Sequence, residues 1–145
     1  LEITVKATVL YRIACVLLIL FAAGHTMGFL TFKAPSPEAR AVWEVMNNVH
    51  FQGRGASFSY AGFYIGFGLF VTAYMLFSAF LAWHLGALAS KNPQAIGALG
   101  WAFFALQVAS LVLSWIYFSA PPVVFSALVA TCVGWAAWMV TRATG

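Results

Sequence analysis

The chain has 145 residues, 63% of them hydrophobic and only 7% charged, with a mean hydropathy of +0.93. A soluble domain is nearer half apolar and a quarter charged, and a chain of this size has too little interior to hide so many Phe, Leu, Ala and Val side chains. A water-soluble enzyme, a disordered chain and a disulfide-stapled secreted module are therefore excluded, which leaves an integral membrane protein.

The formal net charge is +4, and the isoelectric point near 9.4 comes from seven scattered bases that form no basic run. Nucleic acid is not an expected partner. There is no Asp, and the acids are Glu2, Glu38 and Glu44.

The first apolar stretch covers 5–32 and closes on Lys33-Ala34-Pro35-Ser36-Pro37, a strong stop. Its start resembles a signal peptide, with Lys6 and Arg12 ahead of small residues at Ala22-Ala23-Gly24. The apolar run continues past Gly24, which favours a retained first helix. Three more runs follow, bounded by Lys91, Pro93, Pro121-Pro122 and Arg142. The expected fold class is an all-α, four-helix transmembrane bundle, a single domain over 1–145. Its spans are expected near 4–32, 57–89, 95–118 and 122–141. Four spans place both termini on one face, with Lys6, Arg12, Lys91 and Arg142; Lys33, Arg40 and Arg54 fall opposite. The pair ahead of the first span points to cytoplasmic termini in a bacterial inner membrane.

Between the first two spans, Ser36 can cap a helix whose first turn holds Pro37 and Glu38. The spacing predicts a short amphipathic helix over 37–49 outside the membrane, packed on the bundle mouth by Val42, Val45, Met46 and Val49. Gly53 and Gly55 then allow a tight backbone path into the second span.

Small residues mark where helices approach. Gly24/Gly28 and Gly62/Gly66, the latter extended by Gly68, are GxxxG pairs, read first as packing points within the chain and second as faces for a homo-oligomer. Ala127, Ala130, Gly134 and Ala137 form a stripe in the fourth helix. Tyr60, Tyr64, Phe67, Val71, Tyr74 and Ser78 share one stripe of the second. Gln107, near mid-membrane, should face the bundle and meet a Tyr or Ser of a neighbouring helix, or form the polar wall of a cavity.

His25 is the principal candidate for function. It is an ionisable group inside an apolar helix, which is a functional hypothesis by default. Connectivity sends His25, Glu44, His50, Arg54, Tyr60 and Tyr64 toward the extracytoplasmic face, a polar cavity at the bundle mouth suited to a lipid, quinone or other small lipophile. If the protein is an enzyme, His25 is the proton carrier. A carbonyl- or Tyr-bonded structural histidine is the competing reading.

No metal site is expected. His25 and His84 are about 30 Å apart in depth and cannot share a haem. His25, His50 and Glu44 could supply zinc ligands, but no HxxxH or CxxC spacing supports it. Cys15 and Cys132 belong to different helices and read as buried, inert thiols. No cofactor is identified; a quinone or a lipid fits the composition.

Tyr11-Arg12 followed by an apolar run to Gly24, in a four-helix chain of this length, resembles the DoxX-type small bacterial membrane proteins. The likeness covers helix one and the helix count. It implies a four-helix fold and, since some members are linked to quinone-dependent oxidation, an interaction with quinone or lipid. Three function classes remain: a binder of a lipophilic ligand, a structural or accessory membrane subunit, and a small-solute transporter. Inverted repeats and interrupted helices are the usual signs of transport, and the sequence shows no persuasive repeat.

Overall fold

The computed structural model describes residues 2–145. Among the described residues the chain runs α1 (Glu2–Leu30), α2 (Pro37–Asn48), β1 (His50–Gly53), β2 (Ala56–Ser59), α3 (Tyr60–Lys91), a 3-10 turn (Pro93–Ala95), α4 (Gly97–Tyr117) and α5 (Ala120–Thr144). Helices α1, α3, α4 and α5 are each long and apolar enough to cross a membrane. The fold class is that of an all-α membrane protein with four spanning helices and a short amphipathic helix between the first two.

Local chemistry sets the helix ends. Ser36 is extended (φ −141°, ψ 164°), and its Oγ accepts the Ala39 N–H at 3.2 Å, with Pro37 in the first turn. Pro121 and Pro122 do not delay α5 until residue 122 as expected. The helix begins at Ala120, because proline is tolerated in a first turn where the N–H has no partner to lose.

Residues 50–59 differ from the expected plain connection. They form an antiparallel hairpin with His50 opposite Ser59 and Gly53 opposite Ala56. Its two-residue turn, Arg54-Gly55, has positive φ at both positions (49° and 81°), the primed geometry that follows strand twist. The second span therefore starts at Tyr60, three residues later than expected.

Packing falls into two units. The first comprises the chain up to Phe21 and Met75–Gly145; the second is Ala22–Tyr74. In the first, Ala7, Tyr11, Ala14 and Leu18 of α1 recur at helical spacing and are buried. Ala82, Leu85 and Ala89 of α3, Phe103 of α4, and Val129, Val133, Ala136 and Val140 of α5 complete this core. Alanine at so many of these positions lets helices approach closely, the main source of association where lipid competes for apolar surface. Gly134 takes this furthest: a Cβ there would lie 2.6 Å from the Phe104 ring.

In the second unit aromatic rings do the packing. Trp43 of α2 meets Phe32 on one side (6.3 Å between ring centroids) and Tyr64 of α3 on the other (6.2 Å). The expected packing face of α2 is therefore wrong at its three valines and right at Met46. Val42 and Val45 are 60% and 59% exposed and Val49 is also exposed, whereas Ala39, Trp43 and Met46 are half-buried. An indole with two aromatic neighbours offers more contact than a valine row, which is left free. Phe51 of the hairpin packs on Phe58, Tyr60 and Phe63.

Candidate functional site

All six sequence-predicted site residues fall in the second unit, but among the described residues none touches another by a hydrogen bond or ring contact. His50 is exposed, its Nδ1 2.9 Å from the Asn48 carbonyl. Glu44 is exposed on α2, and Arg54 sits in the hairpin turn. Tyr60 and Tyr64 are half-exposed and joined to the rest through Phe51 and Trp43. An aromatic network thus stands where a polar cluster was expected. Phe67, Val71 and Tyr74 are exposed as well, so the α3 stripe turns inward only at Ser78.

His25 is half-buried at an α1–α3 crossing. Its Nε2 lies 3.1 Å from the Gly68 carbonyl, and its ring is 5.1 Å from that of Phe29. A carbonyl oxygen only accepts, so Nε2 carries the proton and donates it. Nδ1 has no partner among the described residues and, in the neutral ring, is an acceptor.

Sequence reading missed the polar node around this bond. The Thr26 and Thr72 hydroxyls are 2.8 Å apart; Thr26 Oγ1 is 2.7 Å from the Ala22 carbonyl and Thr72 Oγ1 is 3.1 Å from the Gly68 carbonyl. Two hydroxyl protons serve three contacts, so one contact is unmade at any moment. Gly68 permits the approach: a Cβ there would meet the Phe29 ring at 3.0 Å. Of the glycines expected to be packing points, Gly68 is one and the GxxxG pairs are not. A Cβ added at Gly24, Gly28 or Gly66 would have nothing within 4 Å, and one at Gly62 would face only the neighbouring Ser59.

In the first unit Gln107 is buried (3% exposed), as expected of an amide at mid-membrane, yet it has no hydrogen-bond partner among the described residues. The buried polar contact nearby in sequence is Ser114 with Ser126, 3.1 Å apart. The Tyr11 hydroxyl and Arg12 Nη1 are also buried without hydrogen-bond partners among the described residues. Arg12 compensates by stacking over Trp83, its guanidinium carbon 3.1 Å from the ring centre, a contact that strengthens where water is excluded. Gly86 leaves room for this, since a Cβ would lie 3.3 Å from Arg12 Nε. Arg12 is half-buried within α1.

Outside the spans, Glu38 has its carboxyl held below the usual carboxylate range, first by its hydrogen bond with Ser36 and then by its own backbone N–H. The Lys6 ammonium, 2.6 Å from Glu2, lowers that carboxyl likewise. Among the described residues no three His, Cys or Glu side chains gather where a metal ion could be held.

Four apolar spanning helices define an integral membrane protein. No protein-family model, curated protein or solved structure matches the chain.

Proposed function

We propose that the protein binds a lipophilic ligand of the lipid or quinone class at the α1–α3 surface around His25. The observation that carries this is the division of labour on the imidazole. Nε2 is committed to Gly68, and Nδ1 is the hydrogen-bonding atom left over. A neutral ring in this state accepts a proton at Nδ1, so the preferred ligand supplies an O–H: a quinol, or a lipid bearing a hydroxyl. Exposed Phe63, Phe67 and Tyr64 supply apolar and aromatic surface on the same unit. His50, Tyr60, Glu44 and Arg54 are the remaining candidates for shaping the approach. The cell context that goes with this reading is a bacterial inner membrane with cytoplasmic termini. The DoxX-type resemblance of helix one points to the same ligand class.

The experiment is binding of a decyl-chain benzoquinol and of its oxidised quinone, without oxygen, to protein held in lipid nanodiscs. Tighter binding of the quinol, lost in His25→Leu, supports the proposal. Equal binding of both forms by both proteins rejects it.

A second reading is a structural or accessory subunit without a ligand. It is favoured by the same His25–Gly68 bond, which joins two helices, and by the open Gly24 and Gly28 face, where a second copy could pack.

A further inference from the structure

Helices α4 and α5, both in the first unit, leave an apolar groove of about 580 Å³ along their contact. Phe104 and Leu111 of α4 and Ala127, Gly134, Trp135 and Trp138 of α5 are among its lining residues. From Ala127 to Trp138 the groove follows α5 for about 16 Å at the helical rise, close to the depth of one hydrocarbon leaflet, about 15 Å. Lining by small and aromatic residues suits an acyl chain lying parallel to the helices.

One end of this groove is charged. Arg142 follows Trp138 by four residues, and its guanidinium carbon sits 4.2 Å from the Trp138 ring centre. Arg142 is exposed and has no acidic partner among the described residues. The neighbouring polar groups are already engaged: Trp101 Nε1 donates to Thr141 Oγ1 at 3.0 Å, and Thr141 donates to the Ala137 carbonyl at 3.0 Å. The one carboxylate side chain described in this unit, Glu2, is held by Lys6. A zwitterionic headgroup therefore finds a partner for its phosphate but none for its cation.

We propose that the α4–α5 groove seats one acyl chain of an anionic phospholipid whose phosphate is held by Arg142. The groove supplies apolar contact for the chain, and Arg142 selects by charge. This site is independent of His25.

The test uses the full chain in nanodiscs of mixed phosphatidylglycerol and phosphatidylcholine, with a photoactivatable diazirine in the acyl chain of one lipid at a time. Expected are crosslinks on α4 and α5 and a preference for phosphatidylglycerol of about fivefold, the scale of one interfacial cation. Arg142→Gln should abolish the preference and keep the crosslinks. Ala127→Leu, which adds bulk to the groove lining, should reduce the crosslinks with both lipids, whereas Leu113→Ala, exposed on α4 and outside the lining, should change neither. Equal labelling by the two lipids, labels outside the groove, or protein–protein crosslinks showing a second copy in the groove would overturn the proposal.

Discussion

His25 on α1 donates its Nε2 proton to the backbone carbonyl of Gly68 on α3, across 3.1 Å. That oxygen also lies within reach of the Thr72 hydroxyl, so two donors converge on one acceptor in a segment where water is scarce. Packing glycine against Phe29 makes the carbonyl reachable.

The node should tolerate loss of either threonine better than loss of both. Because three contacts share two hydroxyl protons, Thr26→Val and Thr72→Val should each cost about 0.5–1 kcal/mol. The double variant should cost less than their sum, since both singles remove the same 2.8 Å contact. Unfolding in mixed micelles measures the cycle; strict additivity would mean that the hydroxyls act separately.

Gly134 should resist enlargement. Its absent Cβ would lie 2.6 Å from the Phe104 ring, so Gly134→Ala must displace that ring and should destabilise α4–α5 packing by about 1–3 kcal/mol. Pairing it with Phe104→Leu should restore part of the loss, read as a rise in thermal unfolding temperature.

For α2, removing the indole matters and removing a valine does not. Trp43→Ala discards contacts with Phe32 and Tyr64 and should cost about 1–2 kcal/mol, seen as faster hydrogen exchange through Pro37–Asn48. Val45→Ala, at an exposed position, should stay within about 0.5 kcal/mol.

Acid should fray the start of α2. The Glu38 carboxyl is depressed in the folded chain by Ser36, so its contribution is full above the ordinary carboxylate pKa and disappears as pH falls through the lower folded value. Exchange at the Ala39 and Arg40 amides should rise across that window. Glu38→Gln should flatten the rise; an unchanged profile would place its origin elsewhere.

The spans were legible because hydropathy and length alone decide them, and the Ser36-Pro37 start because capping chemistry is local. The hairpin was not, since Arg at the first turn position lacks the Asn or Asp signature of the primed turn, although Gly55 was a partial signal. The packing face of α2 was misread because valine spacing reports amphipathicity, while the choice of face depends on which aromatic partners Trp43 can reach. His25 could be singled out as an ionisable residue in an apolar helix. Gly68 could not be paired with it, because a backbone acceptor leaves no mark in the side-chain pattern.

The central claim is that His25 Nδ1 receives a hydrogen bond from a lipophilic ligand, and the most direct measurement is anaerobic titration of a decyl-chain benzoquinol against the wild type and His25→Leu in nanodiscs. One lost hydrogen bond, about 1 kcal/mol, corresponds to roughly fivefold weaker binding. The account predicts that loss for the quinol, little change for the oxidised quinone, and a variant that remains folded. Quinol affinity unchanged in a folded His25→Leu would contradict it and leave His25 as the donor that ties α1 to Gly68.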